Sequence, residues 1–394
     1  MTAPLKRRAA LLGLTSAFAI GGAGLALADA PGQARFVVVL LRGAMDGLAV
    51  VTPYGDPALA ALRAPLIGKP VGEPDGMADL GGYFGLHPAL AAMHAMYAEN
   101  ELLILHAIAG QYRTRSHFDG QDYLESGAGQ RLSSGWLNRA LGAMPGARGP
   151  ADALAIGVSL PLLLRGPAHA SSWAPSGFAA PAADFYARVM ELHRSDPITG
   201  PALTLGLHER GIATAALAGT APEPNRASFP ALATAAGRML RAPAGPRIAA
   251  LELDGWDTHK SQNDRLPGPL RQLDAGLAAL KASLGDIWAQ TCVLVMTEFG
   301  RTVRVNGTGG TDHGTGTVAF LAGGAVAGGK VRADWPGLGP AALLDNRDLR
   351  PTADVRALAM GVLNQHLGIP PAASAKIFPG AEALAPMPGL IRRA

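Results

Sequence analysis

The sequence predicts an α/β fold: a doubly wound, mostly parallel sheet carrying a helical insertion or cap. Three observations carry this expectation. Several short apolar runs lack the alternation of a half-exposed strand, which is the pattern of strands buried on both faces. Segments with helical spacing lie between them, and such alternation builds a layered α/β domain. Acidic and imidazole residues gather just past the carboxyl ends of the runs, where open α/β sheets bind their ligands.

Residues 35–41 (RFVVVLL) open the series and are β-branched at their centre. The runs 102–108 (LLILHAI), 154–158 (LAIGV), 247–253 (RIAALEL), 292–296 (CVLVM) and 317–321 (TVAFL) read the same way. Helical spacing precedes the second run over 90–97. Residues 266–288 set Leu270, Leu273, Leu277, Leu280 and Leu284 near helical spacing between two strands. A C-terminal helix is expected over 354–367. Between 167 and 243 the chain is rich in Ala, Pro, Gly and Ser, with helical stretches near 182–193 and 231–241. This segment reads as a helical insertion or cap over the sheet. The Gly/Pro-rich stretch after Pro370 is expected to lie as a surface extension. No internal repeat of solenoid period is found.

The chain has 394 residues, enough for one large α/β domain. Residues 1–28 read as an export signal. Lys6, Arg7 and Arg8 precede an apolar stretch over 9–27, and Ala26-Leu27-Ala28 offers a cleavage site between small residues. The arginine pair ahead of Leu11 and Leu12 fits a twin-arginine signal, which hands a folded protein to the twin-arginine export machinery. Glycines within the stretch argue against an uncleaved anchor, and no later apolar run reaches membrane-spanning length. The mature α/β domain is thus expected over 29–394, in the periplasm or otherwise exported. The leader carries three of the 34 basic residues and none of the 30 acids, so the net charge falls from +4 to +1 on its removal. With no dense basic run left, nucleic-acid binding is not expected. Cys292 is the sole cysteine, which excludes an intramolecular disulfide; inside an apolar run it reads as a small core residue.

Asp254 and His259 lie just past the 247–253 run. An oxygen and an imidazole on one short loop can bind the same cation, and Asp257 is a second candidate from that loop. A capped turn beside a surface histidine is the plainer alternative. Glu298 directly follows the 292–296 run and its Thr297, either as a strand-end ligand or as the ion-pair partner of Arg301. In 308–317 (TGGTDHGTGT) the glycines allow close backbone approach. There His313 is a candidate ligand, and Asp312 a candidate to orient an imidazole. Asp46, in RGAMDG after the first run, gains weight only from the other three segments. The stretch 113–119 (RTRSHFD) is suited to opening a helix. Ser116 or Thr114 is the candidate nucleophile there, and Arg113 or Arg115 a candidate to grip an anionic ester; the plainer reading has Ser116 capping the helix. This mixture of carboxylates and imidazoles suits one or two divalent ions, Zn²⁺ or Mn²⁺ rather than Ca²⁺. Residues 324–330 match Gly-x4-Gly-Lys, but Val331 stands where a phosphate loop needs Ser or Thr.

The segments LLRGAMDGL, LELDGWDTH, TEFGRT and NGTGGTDHG, with the twin-arginine-like leader, resemble the bacterial exported family called domain of unknown function 1501. The resemblance runs over nearly the whole mature chain. That family more distantly resembles the alkaline phosphatase and sulfatase superfamily, which includes cofactor-independent phosphoglycerate mutases and phosphopentomutases. What the resemblance implies is an alkaline phosphatase-like fold with two ions. One would be held by Asp254, His259 and His313, the other by Asp46, Glu298 and the oxygen of Ser116 or Thr114. Arg115 or Arg301 would hold the non-bridging oxygens of the substrate. Phe299 stands where the superfamily places an imidazole, so the second site is expected to be weaker, remodelled with His117, or absent. The Cys/Ser-x-Pro-x-Arg segment of formylglycine sulfatases is not present. The expected function is an exported metal-dependent hydrolase of a phosphate or sulfate ester. The alternative is a non-catalytic periplasmic protein whose degenerate site binds a metal or grips an anionic ester or glycan ligand.

Overall fold

A computed structural model describes residues 34–146, 152–175, 183–197, 199–217 and 228–392. The export signal read over 1–28 lies outside the described residues. In chain order the strands are β1 (Arg35–Arg42), β2 (Val51–Thr52), β3 (Ala78–Asp79), β4 (Gly85–Leu86), β5 (Leu102–Ala109), β6 (Ala153–Ile156), β7 (Ser171–Trp173), β8 (Ile248–Asp254), β9 (Thr291–Thr297), β10 (Thr317–Ala322), β11 (Lys330–Arg332) and β12 (Ala353–Asp354). A small antiparallel sheet has the order β2-β4-β3. The large sheet runs β11-β5-β10-β9-β1-β8-β6-β7, with β12 also beside β5.

The apolar runs are apolar throughout because each face of the sheet has its own cover. Along β1, Val37, Val39 and Leu41 pack with Met93 of the Ala91–Ala98 helix, Met239 of Phe229–Arg241 and Leu273 of Pro267–Leu284. Phe36, Val38 and Leu40 face the other way, toward Trp136 of the Trp136–Leu141 helix and Leu358 of Val355–Leu367. Alternate side chains of one strand therefore enter two cores, and neither face is left polar. Cys292 is fully buried in β9.

The fold is α/β with a mixed, mostly parallel sheet. One strand departs from the parallel expectation. The 317–321 run forms β10, which is antiparallel to both β5 and β9. Burial on both faces yields the same apolar run whichever way a strand points. Direction is set by the connection, and residues 298–316 return from β9 without a crossover helix.

The stretch after Pro370 corrects a second expectation. It is no surface extension: Ile377, Phe378, Ala381 and Leu390 are buried, and the Phe378 ring stacks on Trp136 at 5.4 Å between centroids. Few apolar residues among many Gly and Pro give no periodic signal, yet each fills a slot in the core. Within 167–243, the helices Ala183–His193, Thr199–Ala216 and Phe229–Arg241 are described, and β7 extends the sheet edge. Ala233, Ala236 and Leu240 of Phe229–Arg241 join the core beside Pro267–Leu284. Part of this segment thus belongs to the sheet and its covering layer. No helix among the described residues is long and apolar enough to cross a membrane.

Candidate metal centre

Because β1, β8 and β9 are parallel, their carboxyl ends open on one edge. After β8 the chain turns at Gly255, whose φ of +102° is open to glycine and strained for other residues. Trp256 is then fully buried, and its Nε1 donates to the Leu253 carbonyl at 2.9 Å. This anchor leaves Asp254 exposed at the strand end and swings Asp257 toward the loops after β5 and β9. Gly310 brings the 306–313 loop against the same turn: a Cβ there would stand 2.4 Å from His259 backbone atoms.

Three histidines face Asp257. His117 opens the His117–Ser126 helix and places Nε2 3.5 Å from Asp257 Oδ1. His313 Nε2 lies 3.6 Å and His259 Nε2 3.1 Å from the same oxygen. His259 Nε2 is also 2.9 Å from His313 Nε2. His117, Asp257 and His313 offer ligand atoms that all lie within 4.8 Å of one another.

The far side of each ring decides what these nitrogens can do. His313 Nδ1 is 2.7 Å from the Arg115 carbonyl, which only accepts, so Nδ1 carries the proton and a neutral ring keeps its lone pair on Nε2. His117 Nδ1 is held by Glu298 Oε1 at 2.8 Å, and His259 Nδ1 by Asp312 Oδ1 at 3.2 Å. A carboxylate or carbonyl behind the ring is how metal-ligating histidines are oriented. His117 Nε2 is buried and has no hydrogen-bond partner.

These residues fit a divalent ion. Ligands 2.0–2.1 Å from a tetrahedral ion stand about 3.3 Å apart, close to the separations between the imidazole nitrogens and Asp257. Phe299 is buried against the cluster, its ring stacked on His117 at 5.1 Å between centroids and 5.3 Å from His313. The Glu298 hydrogen bond raises the pKa of His117 above its ordinary value, against burial. Burial lowers that of His313. For Asp257, burial works upward but is outweighed by Arg301, His259 and His117, which hold its carboxyl below the ordinary value.

The other candidates stand as follows. Asp254, read as a first ligand, is outside the cluster, and Asp257 takes that place. Glu298, also read as a ligand, is 3% exposed and already surrounded by donors: Gly43 N at 2.9 Å, Gln121 Nε2 at 3.3 Å, His117, and Thr297 Oγ1 at 2.7 Å. It orients His117 rather than facing the cluster. Asp46 is buried and caps the Gly47–Val50 turn through Leu48 N at 3.2 Å, while Arg63 and Gln262 hold its other oxygen.

Arg301 is fully buried and donates to the carbonyls of Ala44, Thr311, Gly43 and Trp256 and to Asp257, tying three loops together. Arg115, at φ +65°, gives Nε and Nη2 to buried Asp348 at 3.1 and 2.9 Å. The Arg301 guanidinium is thus fully committed within the protein, while that of Arg115 is paired with Asp348 and remains 28% exposed. Ser116 precedes the helix but makes no side-chain cap, and Thr114 is exposed. The sequence reading missed Arg63, Asp348 and Gln262. No local pattern marks them, since each matters only through a partner far along the chain.

A family model described as protein of unknown function (DUF1501) matches residues 110–377. The chain belongs to the DUF1501 family. The matched DUF1501 region takes in His117, Asp257, His259, Glu298, Asp312 and His313, and begins after Asp46 and Arg63. No curated protein matches the chain. Among solved structures, the C-terminal periplasmic domain of EcEptC from Escherichia coli, in complex with Zn, aligns at 9% identity with a TM-score of 0.35, covering 75% of this chain and 74% of that one.

Proposed function

We propose that this chain is an exported metal-dependent hydrolase of a phosphate or sulfate ester, using Zn²⁺ or Mn²⁺ at His117, Asp257 and His313 with His259 alongside. The observation that carries the reading is the cluster itself: imidazoles oriented from behind converge on one carboxylate, and His117 Nε2 is buried without a hydrogen bond, 3.5 Å from that carboxylate. The bound ion would supply Lewis acidity to the ester. The ester class and export through the twin-arginine machinery rest on the sequence resemblance and the leader. Ser116 is the candidate nucleophile. Its hydroxyl makes no cap, and its neighbours are the Arg115 carbonyl that fixes His313 and His117 itself.

A second reading, a non-catalytic protein that binds a metal or an anionic ligand, is favoured by one observation. Arg115 and Arg301 both pair with carboxylates of the protein itself. Elemental analysis of the mature protein and of the His117→Ala/His313→Ala double variant tests the centre. Metal near stoichiometry in the first and none in the second supports it. No metal after loading with Zn²⁺ and Mn²⁺ removes it. Turnover of phosphate or sulfate esters by the loaded protein, lost in Ser116→Ala, supports the hydrolase with Ser116 as nucleophile. Turnover that survives Ser116→Ala and Thr114→Ala removes both nucleophiles, and silent binding supports the second reading.

A further inference from the structure

We infer that the centre holds a single ion per chain, because the guanidinium of Arg63 permanently fills the place of a second cation at Asp46. This rests on the metal centre proposed above. The superfamily resemblance implied a second ion shared by Asp46, Glu298 and the nucleophile, and the residues present do not fit one.

Asp46 and Arg63 are each 1% exposed and form an ion pair through Asp46 Oδ2 and Arg63 Nη2. The same oxygen accepts from Gln262 Nε2 at 2.6 Å, and Oδ1 accepts from Leu48 N at 3.2 Å. Arg63 is anchored from behind, its Nη1 donating to the carbonyls of Thr302 and Val303 at 3.0 Å each. Gln262 is fixed in turn by Thr258 Oγ1 at 3.0 Å and Thr311 Oγ1 at 2.7 Å. None of these side chains has a buried polar atom without a partner.

An ion arriving at Asp46 would have to displace a buried guanidinium and leave its charge uncompensated, which is strongly unfavourable. A guanidinium does not deprotonate in a protein, so this cation does not depart with pH and a chelator does not remove it. Glu298, the second carboxylate of the implied site, is buried and engaged as well: three donors share its Oε1, and its Oε2 lies 2.7 Å from Thr297 Oγ1, whose one proton also faces the Leu41 carbonyl at 2.9 Å. Phe299 adds an apolar ring and no ligand atom. By contrast His117 Nε2 is buried without a hydrogen bond and lies 3.5 Å from Asp257 Oδ1, in the cluster with His313 that can receive an ion.

The test is ion stoichiometry. The mature protein is equilibrated with excess Zn²⁺, and separately with Mn²⁺, then freed of loose ions and measured by elemental analysis and native mass spectrometry. One ion per chain is expected. The folded fraction of Asp46→Asn should keep that one ion, and His313→Ala should lose it. Two ions per chain, or content that halves in Asp46→Asn, overturns the inference and leaves the metal centre standing. No ion in the unsubstituted protein overturns the centre, and the inference with it. Should Asp46→Asn fail to fold, the stoichiometry of the unsubstituted protein decides alone.

Discussion

Asp46 and Asp257 both follow strands of the central sheet, and both pair with a buried arginine. Around Asp46 every neighbour is a donor: Arg63, Gln262 and the Leu48 amide. Its side chain and that of Arg63 are each 1% exposed, and the knot is closed. Asp257 is 48% exposed while its partner Arg301 is fully buried. Beyond Arg301 its neighbours are imidazoles. When neutral, His117 and His313 turn lone pairs toward its oxygen, because Glu298 and the Arg115 carbonyl hold their protons on the far side. Acceptors facing a carboxylate repel unless a proton or a metal ion lies between them. The two aspartates teach that a strand-end carboxylate becomes a ligand through the donors it has not been given.

The strongest challenge to this contrast is the His117→Ala/His313→Ala variant, whose ion content should fall to near zero by elemental analysis. Retained metal would end the distinction between the two aspartates. Next in size, Asp46→Ala should cost about 3–5 kcal/mol of stability in denaturant unfolding, since it strands a buried Arg63 charge. Ion content per folded chain should not change. Glu298→Gln should weaken ion affinity by roughly 10–100-fold without abolishing binding, the usual effect of losing a group that orients a metal-bound histidine. An unchanged affinity would show that Glu298 does not orient His117. Asp257→Ala should lower ion affinity and also cost stability, since it leaves the buried Arg301 with carbonyl acceptors only, but less than Asp46→Ala because the Asp257 carboxylate is half-exposed. A large stability loss with unchanged affinity would invert the comparison.

The smallest effect concerns pH. Glu298 raises His117 above the ordinary histidine value of 6.5. In the metal-free protein its contribution to stability is therefore full below 6.5 and is lost as pH rises through the raised value. Ion binding needs a bare Nε2 and follows the opposite course, strengthening as pH rises through that value and then levelling. In Glu298→Gln the inflection of affinity against pH should move down. An inflection that stays in place would separate His117 from the ion.

The fold was largely legible because its signals are local. A run such as RFVVVLL is buried on both faces wherever it sits, and the leucines of 266–288 mark a helix before any partner is known. The segments that meet at the site were legible too. The roles within them were not. Asp254 and Asp257 share one loop, and only the Gly255 turn and the buried Trp256 decide which of them faces the histidines. The reversal of β10 and the core packing of Phe378 leave no periodic trace in the chain.

By itself the sequence determined the sheet-forming runs, the main helices that cover them and the set of metal-binding residue types at the strand ends. Hydrophobic burial and backbone propensity act over a few residues and are written in order along the chain. Only the tertiary structure decided which carboxylates are already satisfied. Arg63 reaches Asp46 from 17 residues away, and Glu298 reaches His117 from 181. Hydrogen-bond saturation belongs to neighbours in space, and these neighbours are not adjacent in sequence.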